Sequence, residues 1–119
     1  MQLEIISRYP ATVVKPIPLL FVHGSFTGAE VWDQHFLPYF AQQGYQAHAV
    51  SLRGHGASAG RDRVLWWSLA DYVADLSQAV NTVGGTPVLI GHSLGGMVVQ
   101  KYLESNRVPG VVLMVAHSD

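Results

Sequence analysis

Gly91-His92-Ser93-Leu94-Gly95-Gly96 is the stretch of this chain best built for chemistry. It fits G-x-S-x-G, follows an apolar run and opens a helical pattern, the context in which a serine becomes a nucleophile. A sharp strand-to-helix turn lifts the Ser93 hydroxyl clear of the sheet edge. Gly91 and Gly95 flank it because side chains there would collide across the turn. The helix starting at Leu94 aims its free N–H groups and positive dipole end at the same spot. A second segment, His23-Gly24-Ser25-Phe26, closes another apolar run. Acyl transfer needs two backbone N–H donors facing the developing oxyanion. Leu94, directly after the nucleophile, offers one and Ser25 the other, with Gly24 permitting close backbone approach. Read alone, the second segment is equally an ordinary strand-to-loop turn.

These residues need a scaffold, and the apolar pattern supplies one. Residues 18–23 form a continuous apolar run ending at Gly24, as expected of a strand buried on both faces. Over 31–43, Trp32, Phe36 and Phe40 recur four apart beside Leu37, which predicts one amphipathic helix ended by Gly44. Residues 46–52 read as a second buried strand, running into the glycine-broken loop 53–60. Ser68 with Asp71 is a capping box that opens a helix carrying Leu69, Tyr72, Val73, Leu76, Val80 and Val83, stopped by Gly84-Gly85. Residues 87–90 are a third strand, 94–105 a helix and 110–116 a fourth strand, while 3–6 reads as an edge strand. Such alternation predicts one α/β domain over 1–119, a parallel sheet with right-handed βαβ crossovers.

Composition narrows the function classes. The 7 Lys and Arg against 8 Asp and Glu argue against a nucleic-acid or polybasic membrane-surface partner. No cysteine is present, which removes disulfides, thiol nucleophiles and thiolate metal sites. No apolar run has the ~18 residues of a membrane span. The first eight residues include Glu4 and lack the apolar core of a signal peptide, so a cytoplasmic location is expected. Charged residues make up only 13%, against about 25% in an ordinary soluble domain. A small domain should need more surface charge than that. The shortfall implies association, including self-association through an uncovered sheet, or a piece of a larger fold.

Taken together, Pro18-Leu19-Leu20-Phe21-Val22-His23-Gly24-Ser25, Leu52-Arg53-Gly54-His55-Gly56-Ala57-Ser58 and the Ser93 hexapeptide resemble the α/β-hydrolase superfamily in order and spacing. The chain looks most like the lysophospholipase and monoacylglycerol-lipase-like branch. The resemblance implies a partial α/β-hydrolase fold and a Ser-His-acid esterase acting on a small ester or lipid-like substrate. Ser93 would be the nucleophile, Ser25 and Leu94 the oxyanion donors, and His23, Gly24, Gly91, His92 and Gly95 the supporting motif residues. Ser51 departs from the pattern, since such sequences often carry Asp there.

The fold's triad runs Ser, then acid, then His along the chain. After Ser93 stand only Glu104, His117 and Asp119. Glu104 lies roughly 16 Å along the helix from the elbow, too far to orient a base. Asp119 is a weak candidate for the acid. His117 is a weaker one for the base, because it precedes that acid. The chain therefore resembles the nucleophile-bearing first half of a hydrolase, ending where a lid and later strands would begin.

Other readings compete with ester hydrolysis. Acyl transfer and cofactor-free perhydrolysis use the same elbow, and a non-catalytic hydrolase fragment would keep it without turnover. Trp66 and Trp67 either line an acyl pocket or pack. Gly54-His55-Gly56-Ala57-Ser58-Ala59 formally matches a dinucleotide-binding fingerprint, but no helix opens directly after it and Asp75 lies inside a helical pattern. No phosphate-loop lysine follows Gly96 and no ligand spacing suits a metal, so neither cofactor nor metal is expected.

Overall fold

The computed structural model describes residues 1–12, 15–62 and 67–115. Nine elements follow in chain order: β1 (Ile5–Arg8), β2 (Leu19–Val22), α1 (Glu30–Asp33), α2 (Phe36–Gln42), β3 (Ala47–Val50), α3 (Leu69–Val83), β4 (Val88–His92), α4 (Leu94–Tyr102) and β5 (Val111–Met114). They build a sheet in the order β1-β3-β2-β4-β5. β2 pairs in parallel with β3 and with β4, and β4 in parallel with β5. β1 departs from the all-parallel expectation. It runs antiparallel to β3, in a register that sets Ser7 opposite His48.

β2 shows why the run is apolar throughout. Its successive side chains enter opposite faces of the sheet, and both faces are covered. Leu20 and Val22 join Val50, Leu52, Leu76, Val98 and Val99 on the face packed by α3 and α4. Leu19 and Phe21 join Trp32, Leu37, Ala47, Ala49 and Ile90 on the face packed by α1 and α2. Burying two such faces is what holds a parallel sheet together.

The single helix expected over 31–43 is two helices. Pro38 explains the break: it has no N–H to give the Gln34 carbonyl, and its ring would clash with that carbonyl. The chain leaves helical geometry at His35, whose φ is −138°. Re-aiming α2 divides the aromatic stripe. Trp32 and Leu37 are buried, whereas Phe36 remains 37% exposed.

α3 forms as its caps dictate. The Ser68 hydroxyl accepts the Asp71 N–H, and the Asp71 carboxylate accepts the Ser68 N–H at 2.8 Å. Gly84, with φ of 82°, ends the helix by giving its N–H to the Val80 carbonyl. None of the described helices is long and apolar enough to cross a membrane.

Candidate active site

The geometry at Ser93 follows from the close packing of β4, β2 and α4. Ser93 has φ 55° and ψ −113°, a left-handed conformation that L side chains rarely adopt. Its N–H donates to the Met114 carbonyl at 3.1 Å and its carbonyl accepts the Met97 N–H at 3.2 Å, so the strained residue is pinned to β5 and α4. The flanking glycines are sterically required. A Cβ on Gly91 would stand 2.6 Å from the Gly95 carbonyl oxygen, and one on Gly95 would collide with the Val22 carbonyl oxygen of β2. Ser93 is solvent-exposed, while Gly91, Gly95 and Gly96 are buried. Leu94 opens α4, so its N–H has no intrahelical acceptor.

The loop after β2 lies against this elbow. A Cβ built on Gly24 would sit 3.4 Å from the Ser93 Cβ and 3.2 Å from His92 Nδ1. His23 orients the loop from inside the protein. Its Nε2 accepts the Leu52 N–H at 2.9 Å, so the proton must be on Nδ1, which donates to the Gly24 carbonyl at 2.6 Å. The Thr27 hydroxyl donates to the same carbonyl at 2.9 Å. That carbonyl and the Ser25 N–H share one planar trans peptide and point in opposite directions. Two bonds holding the carbonyl therefore also fix the Ser25 N–H. Burial pushes the His23 pKa down to about 4, keeping the ring neutral. Thr27 escaped the sequence reading, because a hydroxyl three residues past a glycine has no signature of its own.

The glycine loop after β3 is structural. Asp75, buried in α3, accepts from the Arg53 backbone N–H at 2.8 Å and from the Arg53 guanidinium, with Nη2 at 2.9 Å. That hydrogen bonding raises the Arg53 pKa further above its ordinary value. The Trp67 ring packs under the guanidinium and its Nε1 donates to the Gly60 carbonyl at 2.9 Å, so this tryptophan packs against the glycine loop. Trp66 lies outside the described residues. Ser51 is tied into the N-terminal segment. Its hydroxyl donates to Glu4 Oε1 at 2.7 Å and accepts the Ala29 N–H at 2.9 Å. Glu4 thus brings a carboxylate from another segment to the place where similar sequences often carry Asp.

No imidazole among the described residues is hydrogen-bonded to Ser93. His23 bridges β2 and the glycine loop, and His55 Nδ1 donates to the Arg53 carbonyl at 3.0 Å. His48 Nδ1 lies 2.6 Å from the Ser7 hydroxyl, and burial lowers its pKa. His35 sits at the start of α2. The weak candidates His117 and Asp119 lie outside the described residues. Among the described residues, no group of three or more His, Asp or Glu is placed to hold a metal.

Comparison with known proteins places this geometry in a family. A family model described as the alpha/beta hydrolase family matches residues 19–118. A non-heme haloperoxidase of Rhodococcus erythropolis is 35% identical over 107 aligned positions, in an alignment that covers 83% of this chain and 36% of that protein. A non-heme chloroperoxidase of Burkholderia pyrrocinia is 35% identical over 97 aligned positions, in an alignment that covers 77% of this chain and 32% of its own length. The chain thus spans about a third of the length of these curated relatives. The monoacylglycerol lipase of Paleococcus ferrophilus superposes with a TM-score of 0.77 at 23% identity, over 95% of this chain and 42% of that one. That likeness is one of fold alone. The sequence relatives named here are haloperoxidases, so the narrower lysophospholipase-like placement gives way to the family as a whole.

Proposed function

The chain belongs to the alpha/beta hydrolase family, and on that premise we propose that it contributes the nucleophile and oxyanion hole of a serine hydrolase acting on carboxylic esters. The observation that carries this reading is the positive φ of Ser93 at the mouth of α4, beside Gly24. A strained, exposed serine held by glycines on both sides is a poor choice for stability and a suitable one for attack. In the proposed reaction, Ser93 Oγ attacks the ester carbonyl carbon. The Ser25 and Leu94 N–H groups take up charge on the carbonyl oxygen, and the alcohol leaves. Water then attacks the acyl-serine and releases the acid. The proton acceptor and its orienting acid are assigned to residues beyond the described ones, because no described histidine bonds to Ser93.

The two haloperoxidase relatives favour a second acceptor. Hydrogen peroxide attacking the same acyl-serine returns the Ser93 hydroxyl and releases a peracid, which oxidises halide without any metal. Reaction with a fluorophosphonate followed by peptide mass mapping tests the nucleophile: the label is expected on Ser93 and absent from Ser93→Ala. A folded protein that takes no label at Ser93 would overturn the proposal. Supplying an activated ester with peroxide and bromide separates the acceptors, since only the peracid route brominates a reporter dye.

A further inference from the structure

A cleft of about 280 Å³ lies between α1, α2 and the end of β5, lined by Thr27, Val31, Trp32, Phe36, His92 and Met114. His92 immediately precedes the nucleophile, and the Met114 carbonyl holds the Ser93 N–H, so the cleft opens beside Ser93. Its walls are aliphatic and aromatic apart from Thr27 and His92. The Trp32 ring meets Phe36 edge-on at 5.2 Å and leans on Phe21 at 4.9 Å from below. A second cleft of about 340 Å³ runs over α2, lined by His35, Phe36, Tyr39 and Phe40. Phe36 is the side chain common to both linings.

We propose that the first cleft receives the acyl chain of the ester and that Phe36 is a specificity-determining residue, the wall that limits acyl length. The assignment rests on the ester-hydrolase reading of Ser93. A cleft without a carboxylate or ammonium in its lining favours a hydrocarbon over a charged or sugar-like group. Each methylene buried there is worth about 0.8 kcal/mol, or roughly fourfold in affinity. The cleft has a boundary at Phe36, where its lining meets that of the second cleft. A longer chain meets the Phe36 ring. Removing that ring joins the two clefts and lets the chain continue over α2.

The test is a chain-length series. Straight-chain alkanoates from butanoate to hexadecanoate are titrated calorimetrically into wild type, Phe36→Ala and Phe36→Leu, with circular dichroism checking the fold of each. In wild type, affinity should climb about fourfold per methylene and level off once the chain reaches Phe36. In Phe36→Ala it should keep climbing, so that tetradecanoate binds at least about tenfold more tightly than to wild type, with Phe36→Leu between them. A series with no break in wild type, or with the same break in Phe36→Ala, overturns the assignment. Fluorophosphonate labelling of the same samples keeps the two readings apart. A broken series without labelling rejects the nucleophile and keeps the pocket, whereas labelling with a featureless series rejects the pocket and keeps the nucleophile.

Discussion

Acid should destabilise this protein through His23. Its ring is fully buried, and burial holds its pKa near 4 against an ordinary 6.5. The proton that acid would add has nowhere useful to go. Nε2 already accepts the Leu52 N–H and Nδ1 already donates to Gly24, so a second ring proton would face a backbone donor. Because the folded pKa is the lower one, the unfolded chain binds more protons between pH 6.5 and 4. Stability is therefore complete above pH 6.5 and falls as the pH drops toward 4. Moving from pH 7 to 4.5 with these two pKa values removes about 2.5 kcal/mol, a large fraction of a small domain's stability. The assay is urea unfolding of wild type and His23→Gln at both pH values. Glutamine keeps an amide oxygen for the Leu52 N–H and does not titrate. The Asp and Glu contributions cancel in the difference, leaving wild type to lose about 2.5 kcal/mol more than the variant. Parallel losses in the two proteins would refute the argument.

Two further substitutions test the strain and the buried ion pair. Ser93→Gly relieves the positive φ of the elbow and should stabilise the fold by about 1 kcal/mol, raising Tm while abolishing fluorophosphonate labelling; a lower Tm would show that the elbow is unstrained. Asp75→Asn leaves the Arg53 guanidinium without its buried counter-charge and should cost about 3 kcal/mol or more in urea unfolding. Asp71→Asn, at the exposed partner 3.7 Å from Arg53, should cost far less, and equal losses would contradict the burial argument.

The features legible in the sequence are those that neighbouring residues settle among themselves. The capping box at Ser68, the glycine stop after Val83 and the Gly91–Gly95 contact across the turn at Ser93 each rest on sterics or hydrogen bonds within a few residues. The strand positions could be read because β2, β3 and β4 must be apolar on both faces to lie inside a parallel sheet. The break before α2 was equally local. Pro38 marks it, but the regular recurrence of Trp32, Phe36 and Phe40 hid it, and the backbone hydrogen-bond rule outweighed the apolar period.

What the sequence by itself determined is the turn that exposes Ser93, the proposed nucleophile. Gly91 and Gly95 mark that turn in the sequence, because a Cβ on Gly91 would meet the Gly95 carbonyl, whereas the approach of the Val22 carbonyl to Gly95 comes from packing against β2. What only the tertiary structure decided is the surroundings of that hydroxyl. Neither the antiparallel pairing of β1 with β3 nor the exposure of Phe36 is written in a local pattern. Nor is the bond from Leu52 to His23, made between residues 29 apart in the chain. The physical reason is the same in each case. These contacts exist only once apolar burial has brought distant segments together, because a hydrogen bond or ring contact by itself is too weak to bring them there.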